Sequence, residues 1–142
     1  MKNSKNFLIQ ELVPEIIWKR YGENSRWFIS KEMVEIIQKI RNRYGKSITV
    51  NNWYFDGRLQ YRGYRPPMTE IGSMYSQHKL GQALDFNVED YEPGEVYADI
   101  ITHQDLFLGI GVTTIEDLEY TPTWTHIDRR NTKLGRLLII KP

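Results

Sequence analysis

The change of period at Gly45 restricts the fold more than any other feature of the chain. Before it, Met33, Val34, Ile37, Ile40 and Tyr44 recur along one helical face, with Lys31, Glu35, Lys39 and Arg43 on the wet side. Ser30 suits the N-cap of such a helix and Gly45 a left-handed C-terminal cap. After it, residues 47–53 (S-I-T-V-N-N-W) are β-branched and aromatic and read as a strand. One chain must therefore join a capped core helix to a sheet.

The flanking segments extend this order. Residues 7–21 carry helically spaced apolar positions, but Pro14 would cost about 3 kcal/mol inside a helix. A turn ending at Val13, a short helix opened by Pro14 and a stop at Gly22 follow. Asp56-Gly57 marks a turn, Pro66-Pro67 forbid continued pairing, and the chain to Tyr75 reads as irregular. Residues 82–88 alternate, with Ala83, Asp85 and Asn87 on one face and Leu84, Phe86 and Val88 on the other. Glu92-Pro93-Gly94-Glu95 opens a helix reaching Leu106, ended by Gly109 and Gly111. Residues 112–118, 124–130 and 137–140 are further strand candidates. Helices first, strands later and one inserted helix favour α+β with a largely antiparallel sheet.

The 142 residues suit one domain. A formal charge of +1 gives no bulk reason to expect nucleic acid or membrane as partner. No apolar run of signal-peptide length precedes Glu11 and none elsewhere approaches a membrane span, so a soluble chain without an export signal is expected. With no cysteine, any metal must be held by histidine and carboxylate.

Two short stretches supply such groups. Residues 76–85 (S-Q-H-K-L-G-Q-A-L-D) place His78 seven positions before Asp85, and residues 124–128 (W-T-H-I-D) add His126. Two imidazoles and a carboxylate form the three-ligand set of a catalytic zinc site, with the fourth position open to water. They converge if the strands bearing Asp85 and His126 lie side by side and His78 reaches over, the chain turning sharply at Gly81. On spacing alone, scattered histidines and an aspartate are more often surface or satisfied core residues. His103 has no partner at metal spacing and reads as a structural residue within its helix.

The pattern Ser76-x-His78-x-x-Gly81-x-Ala83-x-Asp85, then Trp124-x-His126-x-Asp128, resembles the zinc D-alanyl-D-alanine carboxypeptidase and L-alanyl-D-glutamate endopeptidase family, which shares its fold with the hedgehog signalling domain. Residues 48–53 and Arg62-Gly63-Tyr64-Arg65 are similar to the segments preceding that motif in the family, and Glu11-Leu12-Val13-Pro14-Glu15 resembles small phage-type members. The resemblance covers nearly the whole chain. It implies a central, mainly antiparallel sheet of four to five strands with helices packed on one side. It also implies zinc held by His78, Asp85 and His126, and Arg65 polarising a substrate carbonyl or binding its carboxylate, a task suited to planar bidentate donors. Arg62, three residues away in an extended segment, faces the other way.

The chain departs from the family at the general base, because Thr123 stands where many members carry an acid, three residues before the last histidine. The remaining carboxylates rank as Glu119, Asp128 and Glu116. Glu119 could fold back over the metal through a bend at Pro122; Asp128 could be a base or the partner of a ligating histidine; Glu116 reads as an exposed strand charge. Trp124 and Tyr75 are candidate cleft walls, while Trp53, Tyr54 and Tyr64 read as core. The expected activity is zinc-dependent hydrolysis of amide bonds in peptidoglycan stem peptides, by a phage lysis or virion-associated protein. The alternative is a binding or structural module that kept the fold and lost catalysis.

Overall fold

Ser30 closes the N-terminus of the longest helix, its Oγ accepting from the Met33 amide at 3.1 Å, and Gly45 ends it in the left-handed region at φ 62°. The computed structural model describes residues 4–142. The charged start at residues 1–3 lies outside them. The helices are α1 (Glu15–Tyr21), α2 (Lys31–Tyr44), α3 (Pro93–Thr102) and α4 (Gln104–Ile110). The strands are β1 (Ile48–Thr49), β2 (Ala83–Val88), β3 (Thr114–Glu116), β4 (Thr125–Asp128) and β5 (Leu138–Ile140). They form one sheet in the order β1-β2-β4-β3-β5, antiparallel except for the β3–β5 pair. The fold is α+β.

The period of two along the strands divides the sheet chemically. Leu84, Phe86, Val88, Ile115 and Ile127 point to one side and join Ile36, Ile37 and Ile40 of α2, Val96 and Ile100 of α3 and Phe107 of α4 in one buried apolar cluster. Asp85, Glu116, His126 and Asp128 point to the other.

Pro14 opens α1 from the N-cap and Gly22 closes it, as the spacing predicts. Two expectations change. The helix expected to run to Leu106 breaks at His103, whose backbone (φ −119°, ψ 44°) ends α3 and starts α4; its Nδ1 lies 3.0 Å from the Asp99 carboxylate and 3.1 Å from the Asp99 carbonyl. The strand expected over residues 47–53 keeps two residues, because Asn51 leaves the ladder to hold other segments. Its amide donates to the Glu11 carbonyl, its Nδ2 to the Val13 carbonyl, and its Oδ1 accepts from the Arg62 amide. Trp53 then begins a 3-10 turn and donates Nε1 to the Val13 carbonyl.

Two glycines set the approach of the remaining chain to the sheet. Gly81 has φ 68°, and a Cβ there would collide with the Phe28 carbonyl oxygen; its own carbonyl accepts from the Ser30 amide. The turn after His78 is thereby tied to the start of α2. Gly63 passes so close to Leu12 that a Cβ would lie on the Leu12 carbonyl oxygen, while the Tyr64 amide donates to that oxygen at 2.8 Å.

Candidate metal centre

Register brings the chemistry together. Asp85 on β2 pairs with His126 on β4, and β3 continues the row, since Ile115 pairs with Ile127 and Glu116 follows on the far side of His126. Asp85, His126 and Glu116 thus form one rung across three strands. The next rung is Ala83, Asp128 and Thr114. Small neighbours leave room for Asp128 to be wholly buried. His78 enters from the 3-10 turn Gln77–Leu80, where the Ser76 hydroxyl accepts from the His78 amide.

The tautomers follow from the partners. His78 Nδ1 lies 2.9 Å from the Gly63 carbonyl, which can only accept, so Nδ1 carries the proton and Nε2 presents its lone pair. His126 Nε2 lies 3.0 Å from Asp128 Oδ2. Burial pushes the Asp128 carboxyl up, but hydrogen bonds from His126 and Arg130 outweigh it and hold the group below its usual range. Asp128 is therefore an acceptor and His126 Nε2 donates to it, while Nδ1 faces the Asp85 carboxylate, where a metal ion would take the place of the proton that Nδ1 shares with it.

Both ligating nitrogens converge on one oxygen. His78 Nε2 is 3.3 Å and His126 Nδ1 2.8 Å from Asp85 Oδ1. Donors bonded tetrahedrally at about 2.0–2.1 Å stand about 3.3 Å apart; the His78 separation equals that, while the 2.8 Å His126 contact is a hydrogen bond that opens by about 0.5 Å to admit an ion. Burial works against ionising Asp85, yet the charges and hydrogen bonds of His78 and His126 hold it well below the ordinary carboxylate range. Burial also opposes a charge on His126, but hydrogen bonds to Asp128 and Asp85 prevail and raise it to about 9. The site is built to hold positive charge where the three side chains meet. This buried His78, Asp85 and His126 group can hold a metal ion.

The group opens into a cleft of about 450 Å³ also lined by Arg65, Glu116, Tyr120, Trp124 and Arg130. Glu116 is not the exposed strand charge expected of it. Its side chain is 19% exposed, and Oε1 lies 3.8 Å from His126 Nδ1. Glu119, the first-ranked base, sits on the exposed turn after β3, where its amide donates to Asp117 Oδ1, and is not among the residues lining the cleft. Asp128 is committed behind His126, gripped by Arg130 through Nε at 2.9 Å and Nη2 at 2.6 Å. That occupies it as the imidazole's partner rather than as a base. Thr123 is exposed and contributes its carbonyl, which accepts from Asn87 Nδ2.

Arg65 lines the cleft but is engaged, with Nε donating to the Tyr61 carbonyl at 2.7 Å and Nη2 to Asp85 Oδ2 at 3.2 Å. It steadies the oxygen of Asp85 that the histidines do not share. Arg62 donates to Asn87 Oδ1 at 2.6 Å. Tyr75 and Trp124 line the cleft as expected of them, and Tyr120 joins them. Tyr64 is buried against Phe28 as expected, whereas Trp53 is half-buried and stacks edge-on with Tyr54, which is exposed rather than core. A second cleft of about 540 Å³ beside α2, bordered by Arg26, Trp27, Ile29 and Val34, contains no histidine.

No family model, curated protein or solved structure matches this chain.

The signal for Glu116 was present in the alternation of β3. Once Ile115 faces the core, Glu116 must share a side with Thr114. Nothing local, however, says that β3 lies beside β4.

Proposed function

We propose that the protein is a zinc peptidase that hydrolyses amide bonds of peptidoglycan stem peptides, with Glu116 as its proton shuttle. The observation that carries this reading is the convergence of His78 Nε2, His126 Nδ1 and Asp85 Oδ1, all within 4.8 Å of one another, with the Glu116 carboxylate beside them. Nitrogen and carboxylate donors without thiolate suit zinc. When bound, zinc supplies a Lewis acid that polarises the acyl oxygen and lowers the pKa of water to about 7.

The chain's own groups perform the remaining steps. Gly63 and Asp128 orient the two imidazoles from behind. Glu116 takes the proton of the attacking water as its oxygen bonds to the acyl carbon. The C–N bond then breaks and Glu116 returns the proton to the departing amine. Tyr75, Tyr120 and Trp124 wall the cleft for an extended substrate.

The peptide and wall assignment rests on the resemblance of residues 76–85 and 124–128 to the D-alanyl-D-alanine carboxypeptidase and endopeptidase family. The mainly antiparallel sheet with helices on one face supports a hedgehog/DD-peptidase-like fold. Among the described residues no helix is long and apolar enough to cross a membrane. Action on the wall as a phage lysis or virion-associated protein fits the resemblance to small phage members.

The deciding experiment compares wild type, Glu116→Gln and Glu119→Gln for zinc stoichiometry and for release of wall-peptide fragments. Glu116→Gln is expected to retain zinc and lose activity about 10²- to 10⁴-fold, while Glu119→Gln stays near wild type. Full zinc occupancy without fragments from wild type would favour a binding module. Failure to bind zinc would refute the ligand assignment.

A further inference from the structure

The cleft of about 540 Å³ beside α2 belongs to the helical layer, whereas the three metal-binding side chains stand on the other side of the sheet. Its floor is aliphatic, made by Ile29 and Val34, both buried. Its wall is an indole. Trp27 is 66% exposed and is the one exposed tryptophan of the four in the chain. Successive residues of a 3-10 segment point about 120° apart. In Gly22–Phe28, Phe28 turns inward against Tyr21 and Tyr64, which leaves its neighbour Trp27 turned out.

The rim is cationic. Arg26, Lys31 and Lys39 face a single carboxylate, Glu35, which only Lys31 approaches, at 3.9 Å. Among the described residues no ion pair engages Arg26 or Lys39. The uncharged amide of the rim is fully engaged. Gln38 accepts from the Ser4 hydroxyl and the Asn6 amide, and donates to the side-chain oxygens of Asn6 and Asn42. Both of its acceptor sites and both of its amide hydrogens are thereby used.

These features select the occupant. An excess of cations favours an anionic partner, and an aliphatic recess beside an indole takes an apolar side chain. A sugar ring needs donors and acceptors for its hydroxyls, and Gln38 has none left. A bilayer surface is flat and does not reach the recessed Ile29 and Val34. We propose that this cleft docks an acidic peptide segment of a partner protein. One apolar side chain sits between Trp27 and Val34, and flanking carboxylates pair with Arg26, Lys31 and Lys39. The proposal is independent of the peptidase reading, and the metal cleft stays open while this one is filled.

The test selects displayed random twelve-residue peptides on the full chain, then measures the enriched sequences as synthetic peptides by fluorescence anisotropy. The enriched set is expected to combine aspartate or glutamate with a leucine, isoleucine, phenylalanine or methionine. Trp27→Ala should weaken these peptides about tenfold or more, as for loss of an aromatic anchor. Lys39→Glu should weaken them as well, and the affinity of wild type should fall as salt is raised to about 0.5 M. Both positions are exposed, so unchanged denaturation midpoints are expected of the two variants.

Enriched peptides without carboxylates, or peptides that bind Trp27→Ala as tightly as wild type, would overturn the proposal. Failure to enrich any peptide would do the same. Trp27-dependent sedimentation with phosphatidylglycerol vesicles in place of peptide binding would overturn it in favour of a lipid surface. Trp27-dependent dimerisation in analytical ultracentrifugation would overturn it in favour of a second copy of this chain.

Discussion

Gly63→Ala tests whether the backbone behind His78 holds the metal centre in place. A Cβ at this position would fall on the Leu12 carbonyl, 2.8 Å from its carbon and 3.1 Å from Leu12 Cα, closer still to the oxygen. Ordinary contact begins near 3.4 Å, so the segment must retreat by on the order of 1 Å. Two bonds resist: Tyr64 amide to Leu12 carbonyl at 2.8 Å, and His78 Nδ1 to Gly63 carbonyl at 2.9 Å. Stretching either by that amount takes it out of hydrogen-bonding range. Overpacking costs about 1–3 kcal/mol and a lost hydrogen bond about 0.5–1.5 kcal/mol. A destabilisation of about 2–4 kcal/mol is expected in urea titrations of the metal-free protein. Because His78 loses the partner that fixes its tautomer, zinc affinity measured against a competing chelator should fall about tenfold or more. A variant within about 0.5 kcal/mol of wild type, with unchanged zinc affinity, would refute the argument.

Asp128→Asn keeps the side-chain shape but removes the charge behind His126, and zinc affinity in the same competition assay should weaken about 10- to 100-fold. Ser30→Ala removes the cap of α2 and should cost about 1 kcal/mol by chemical denaturation. Asp99 receives two bonds from the Arg43 guanidinium and one from Tyr44 Oη, and its pKa is lowered to about 2, principally by the Arg43 hydrogen bonds. A carboxyl depressed in the folded state adds stability above its unfolded pKa of about 3.9 and loses it as pH falls through about 2. Solvent screening reduces this to about 1 kcal/mol. Asp99→Asn should therefore be less stable than wild type near neutral pH, with the gap in denaturation midpoints closing between about pH 4 and pH 2.

Local chemistry made part of this molecule readable. Helix α2 carried its own start and stop in Ser30 and Gly45, and β2 announced its two faces by alternation, which put Asp85 away from the core. The ligand residues could be named because each lies in a short stretch with its own turn and strand signals. Glu116 could not be ranked in the same way, since its place beside His126 depends on β3 pairing with β4, a register between distant segments. Distance along the chain misled the choice of Glu119, which the turn after β3 carries away from the cleft lining. The break at His103 was equally hidden, because no proline or glycine marks it. Asn51 shows the converse: a residue inside an apparent strand spends its hydrogen bonds on the N-terminal segment and on Arg62.

The rung of Asp85, His126 and Glu116 has a consequence for quality control. Sliding β4 by one residue against its neighbours would turn His126 and Asp128 into the apolar layer and bring Ile127 to the cleft. No such misregistered chain could assemble the three donors. An ion held by His78, Asp85 and His126 would therefore stabilise only correctly paired molecules and leave mispaired ones to unfold.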